Sequence, residues 1–167
     1  ALYEADGREL ATPKPKTPEQ ALGTAREYFE EYYPGAVVWL NTSRELAKQK
    51  RPKEAAFLLH QATERLYSCL LLTLTFYTPY NHNIAFLRSL AEGLDRRLFR
   101  IWPEDNRRDR AMFQKLKEAY TKARYSKHYK INDEELMWLS ARIEELGRIV
   151  LQACSERIAE LESAANT

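Results

Sequence analysis

Apolar residues recur every three or four positions through most of this chain, in runs too long for strands, and that spacing predicts amphipathic helices. Thr17-Pro18-Glu19-Gln20 sets a capping hydroxyl before a proline at the first helical position and a glutamine at the third, which starts a first helix. Its stripe is Leu22, Ala25, Phe29 and Tyr32. Pro34-Gly35 then interrupts it, and the pattern resumes with Val37, Val38, Leu40 and Leu46, so a broken or kinked first arm is expected. Pro52 opens a second helix after the basic hinge Lys48 to Lys53, running to about residue 77. The proline turn from Tyr77 to His82 precedes a third helix with Ile84, Leu87, Leu90 and Ala91, stopped by Gly93.

A short turn with Leu94, Leu98 and Phe99 closes at Trp102-Pro103. Asp105 or Asn106 can cap a fourth helix, whose stripe of Met112, Leu116, Ala119, Tyr120 and Ala123 ends near Tyr125. Asn132 to Glu135 is a second capping box, and Leu136, Leu139, Ile143, Leu146, Val150 and Ala153 form the longest stripe, flanked by Met137, Trp138 and Ile149. That width fits packing within a bundle better than a bare coiled-coil seam. The fold expected is all-α, an up-and-down bundle of four to five helices spanning residues 17–163, with residues 1–16, bearing Pro13 and Pro15, as a linker from a preceding domain.

Composition agrees with this picture: five glycines in 167 residues favour helix over sandwich or barrel. The formal net charge of +2 does not announce a nucleic-acid binder, so any basic site must be local. Cys69 and Cys154 lie in apolar-periodic segments, where cysteine acts as a small hydrophobe, and a reducing, cytoplasmic setting follows. The apolar run from Cys69 through Phe76 is about half the ~20 residues that a membrane span needs, and no signal peptide opens the chain. The start at Ala1 suggests a piece of a longer protein.

His60, Gln61 and Glu64 are polar residues on an otherwise inward second helix, and a buried polar group without a partner costs about 1–3 kcal/mol. They form either a satisfied internal network or a site. Metal is not expected: a dinuclear carboxylate site needs two Glu-x-x-His motifs, and the three histidines at 60, 82 and 128 are scattered. A second constellation, Tyr120 to Lys130, interleaves Lys122, Arg124, Lys127, His128 and Lys130 with Tyr120, Tyr125 and Tyr129. Such cations complement a helix C-terminus, and beside aromatic rings they also form a phosphate-gripping, base-stacking surface.

The Ala55-Ala-Phe-Leu-Leu-His-Gln-Ala-Thr-Glu-Arg65 helix, His82 opening the next one, and Ala119-Tyr-Thr-Lys-Ala-Arg-Tyr125 before a long last helix resemble the HEPN family, the higher-eukaryote and prokaryote nucleotide-binding domains. The resemblance covers roughly residues 45–160. Residues 1–44 resemble the segment joining such domains to a minimal nucleotidyltransferase domain in two-domain bacterial proteins. It implies an antiparallel bundle that often dimerises, with a nucleotide- or RNA-facing surface on the central and fourth helices. The phosphate-binding residues expected are then Lys122, Arg124, Tyr125, Lys127 and His128, supported by His60, Gln61, Glu64, His82 and Tyr120, with ATP or GTP as a possible ligand and no cofactor. Nuclease members of the family use an arginine and a histidine with four to six residues between them, where Arg124 and His128 have only three. Three readings remain: a non-catalytic binding module partnered with a nucleotidyltransferase, a metal-independent ribonuclease using Arg124 and His128, and a structural homodimerisation domain.

Overall fold

In the computed structural model, which describes residues 15–167, five α-helices and one 3-10 turn follow one another with no strand among the described residues. They are α1 (Pro18–Lys48), α2 (Pro52–Thr75), α3 (Ile84–Glu92), the 3-10 turn (Arg96–Arg100), α4 (Arg107–Lys122) and α5 (Asp133–Ala165). Both expected capping boxes are present, Thr17 with Gln20 and Asn132 with Glu135, and Asn106 rather than Asp105 caps α4. The linker expected over residues 1–16 falls outside the described residues except for Pro15 and Lys16.

The central helix is α2, which contacts α1, α3, α4 and α5, while α1 and α5 also pack on each other. Its buried set runs almost all round the helix: Leu59, His60, Thr63, Leu66, Tyr67, Cys69 and Leu70 are all buried. A helix surrounded in this way gives little face to water, so most polar side chains on it rely on protein partners, although the buried Thr73 hydroxyl has none among the described residues. Thr63 donates to the carbonyl of Leu59 at 2.8 Å, and the two cysteines are free and buried.

The first arm is not broken. Residues 18–48 form one helix straight through Pro34, although Pro34 has no N–H for the carbonyl of residue 30. Packing from α2 accounts for the continuity: Arg65 donates to the carbonyl of Glu31 at 3.3 Å, and its guanidinium carbon lies 4.3 Å from the Tyr32 ring centre and 5.4 Å from that of Trp39. Because α1 packs along α2 and α5, residues 18–44 are part of the bundle. Val37 and Val38 correct the expected stripe; both are exposed, and the inward positions there are Ala36 and Leu40.

Tight junctions set the order of the helices. Lys50 takes a left-handed conformation, φ 62°, between α1 and α2, and Phe76 does the same, φ 63°, to end α2. Arg97 ties the 3-10 turn to α5 by bonding both Asp95 and Glu156, each within 2.9 Å at its closest. Beneath that turn lies Trp102, only 1% exposed, whose indole N–H donates to the Tyr67 hydroxyl at 2.9 Å. Trp138 tilts against Trp102 at 6.5 Å, so of the flanking residues expected on the last helix's outer face only Met137 is fully exposed.

Tyr67→Phe removes the acceptor for a donor that water cannot reach. It is expected to cost about 1–3 kcal/mol, read as a lower urea midpoint with an unchanged m-value.

Candidate functional site

The first half of α2 carries Phe57, His60, Gln61 and Glu64 at spacings of three and four, which puts all four on one helical face. Pro79 and the loop after it bring His82 back over this face, where Asn83 caps α3 by accepting from the amide of Ala85 at 3.0 Å. Opposite stands α4, and Tyr120 is its contribution. The Tyr120 ring stacks on His82 with centres 4.6 Å apart and planes 18° from parallel, on His60 at 5.1 Å, and on Phe57 at 6.1 Å. The supporting residues expected from sequence therefore converge around one tyrosine.

His60 is completely buried and fully bonded. Its Nε2 lies 3.1 Å from the backbone carbonyl of His82, and its Nδ1 lies 3.2 Å from the Gln61 amide nitrogen. That amide nitrogen also donates to Glu64 Oε2 at 3.2 Å, and Glu64 Oε1 accepts from His82 Nδ1 at 2.6 Å. Burial holds the His60 imidazole down to about 4, outweighing the bond to the His82 carbonyl, which acts the other way. His60 is accordingly neutral, and the satisfied-network reading describes it well. His82 differs, since its ring is two-fifths exposed and lines a cleft.

That cleft, about 810 Å³, is lined by Tyr80, Asn81, His82 and Asn83 from the loop and by Gln114, Lys117, Glu118, Tyr120, Thr121 and Lys122 from α4. Tyr80 is 96% exposed and meets His82 edge to face at 5.6 Å. Lys122 is engaged with Glu118 at 3.4 Å, whereas Lys117 has no carboxylate partner among the described residues. Gln114 donates to Glu118 and, with Lys122, holds that carboxyl below the usual carboxylate range.

Beyond the end of α4, Arg124 also packs against Tyr120. Its guanidinium carbon sits 4.3 Å from the Phe57 ring centre, 5.0 Å from that of Tyr125 and 5.6 Å from that of Tyr120. The one hydrogen bond it makes is a long one, 3.4 Å, to the carbonyl of Tyr120, and among the described residues it has no acidic partner. It lines a second cleft, about 530 Å³, with Lys50, Arg51, Lys53 and Glu54 from the α1–α2 junction. There Lys50 pairs with Asp133, Arg51 with Glu54, and Lys53 donates to the carbonyl of Ser126. Arg124 is thus the cation there without a protein anion or carbonyl to hold its charge closely.

The remaining members of the basic stretch do not join it. His128 lines a third cleft with Lys115, Glu118, Lys122, Ser126, Tyr129 and Lys130, while Arg124 lines the second, so the two residues do not share a pocket. Lys127 is exposed. Tyr129 corrects the expected stacking surface: it is buried, and its hydroxyl donates to the carbonyl of Lys115 at 2.8 Å, with its ionisation pushed up by burial. The residues that sequence reasoning passed over are Phe57, Tyr80, Gln114 and Lys117. The spacing 57, 60, 61, 64 on α2 and 117, 120 on α4 is the signal that marks two of them.

The HEPN domain model matches residues 29–154, and the chain belongs to that family. The match begins inside α1, in keeping with the place of that helix in the bundle. A comparison with curated proteins gave no match. Among the described residues no cluster of three or more His, Cys, Asp or Glu is placed to hold a metal ion, and no helix is long and apolar enough to cross a membrane.

Proposed function

We propose that this chain is a non-catalytic helical module that binds a nucleotide or nucleic-acid phosphate, acting as partner of a nucleotidyltransferase domain. The observation that carries the reading is Arg124, packed against Phe57, Tyr120 and Tyr125 without an acidic partner among the described residues, on the same Tyr120 that walls an open cleft with Tyr80 and His82. A guanidinium held against aromatic faces has already lost much of its rotamer freedom, so less is lost when it grips an anion. Stacking rings and a cation gathered around Tyr120 match the two halves of a nucleotide, base and phosphate. The partner domain and a homodimeric, cytoplasmic state rest on the family resemblance and on cysteine usage. Metal-independent cleavage of RNA by Arg124 and His128 has weaker support, because only three residues separate them where the family's nucleases have four to six.

Calorimetric titration of the chain with ATP and GTP tests the reading. Saturable binding at low salt, weakening as salt is raised, is the expected result, since an exposed guanidinium and its anion are screened by salt. Absence of heat with either nucleotide at low salt, together with no retention of single-stranded RNA, would remove the reading.

A further inference from the structure

The hydrogen-bond network on α2 begins and ends on the same residue, and its direction is set by an atom that cannot change roles. The backbone carbonyl of His82 only accepts, so His60 must present Nε2–H to it across 3.1 Å. Nδ1 of the neutral ring is then a lone pair, met by an N–H of Gln61. The second hydrogen of that amide nitrogen goes to Glu64 Oε2, which leaves Glu64 Oε1 to accept from His82. The 2.6 Å contact therefore carries its hydrogen on His82 Nδ1. In the neutral imidazole, the form tested below, one nitrogen donates and the other accepts, so Nε2 of His82 is then a lone pair, and among the described residues it has no protein partner.

A lone pair repels phosphate oxygens and attracts an N–H. Its neighbours complete the pattern: Asn81 gives its side-chain oxygen to the amide of Asn83 at 2.7 Å, and Asn83 gives its own to the amide of Ala85. Both line the cleft, and among the described residues the –NH₂ end of each has no hydrogen-bond partner. An acceptor flanked by amide donors, between the rings of Tyr80 and Tyr120, complements a base edge on which an exocyclic amine lies beside a ring nitrogen.

Resting on the nucleotide-binding reading above, we propose that His82 Nε2 is the acceptor that selects an amine-bearing base, with adenine as the purine it fits, and that the phosphate lies on the Arg124 side of Tyr120. Glu64 is the positioning residue. In Glu64→Gln, the Gln61 N–H still faces the atom in the Oε2 place, so the new amide must set its oxygen there and its –NH₂ against His82 Nδ1. The His82 hydrogen then moves to Nε2, and the acceptor becomes a donor.

The test compares AMP with purine riboside 5′-monophosphate, which differs only by lacking the amine, titrated calorimetrically at pH 8. The wild-type chain is expected to favour AMP about tenfold, the effect of one hydrogen bond left unmade. Glu64→Gln is expected to abolish the preference while still binding both. His82→Phe, which keeps a ring on Tyr120 without the acceptor, is expected to do the same. Equal affinities in the wild type, or a preference that survives both variants, would overturn the inference while leaving nucleotide binding intact. Failure of both nucleotides to bind the wild type would remove the inference and the reading beneath it together.

Discussion

Arg124→Ala is expected to weaken ATP or GTP binding at least tenfold, and by up to about a hundredfold, while the bundle stays folded. One charge-assisted hydrogen bond to an anion is worth about 1.5–3 kcal/mol, which sets that range. The fold is spared because Arg124 is exposed, beyond the end of α4, and closes no ion pair among the described residues. Its packing against Phe57, Tyr120 and Tyr125 is of the exposed cation–π kind, worth about 0.5–1 kcal/mol. Arg124→Lys is a useful companion: the charge remains but the planar fork is lost, so an intermediate affinity is expected. Calorimetry with a parallel thermal melt separates loss of ligand from loss of fold. An Arg124→Ala chain that binds as tightly as the wild type would place the phosphate elsewhere.

Acid is expected to weaken the fold through His60. Its folded-state value, about 4, lies below the ordinary 6.5 that it regains on unfolding, so the unfolded chain takes up the proton first. The stability contributed by neutral His60 is therefore whole above pH 6.5 and is lost as pH falls from there towards 4. A shift of that size corresponds to roughly 3 kcal/mol. Urea midpoints taken between pH 7 and pH 4 should fall steeply for the wild type and by roughly 3 kcal/mol less for His60→Gln, which keeps a polar group on the helix without the titration. Parallel curves for the two proteins would show that His60 is not the group responsible.

Much of this architecture was legible in the amino-acid pattern, and the reasons are local. Thr17 with Gln20 and Asn132 with Glu135 are helix starts that depend only on residues three apart, and both are present. Pro34 misled because the compensation for a helix-interior proline came from Arg65 on another helix, 31 positions along the chain, and no local rule anticipates it. The same limit applies to the basic stretch. Arg124, Lys127, His128 and Lys130 look like one cluster in sequence, but the chain turns at residues 123–125, after which His128 lines a different cleft from Arg124.

Burial of Tyr129 follows from the same turn, which swings its hydroxyl back to the carbonyl of Lys115. The polar face of α2 was visible as His60, Gln61 and Glu64, because their spacing of three and four sets them on one face of a helix whose buried positions are largely apolar. What remained hidden was the direction of its hydrogen bonds. That direction depends on the backbone carbonyl of His82, which reaches His60 only after the loop through Pro79 has folded back.

The central claim is that Tyr120 is shared by a base-stacking cleft and a phosphate-gripping arginine. The most direct test is an amide chemical-shift titration of the isotope-labelled chain with AMP at low salt. Saturable shifts concentrated at Tyr80 to Asn83, at Phe57, and from Gln114 to Tyr125 are the expected result. Shifts confined to the cleft around His128, or no shifts at all, would contradict it.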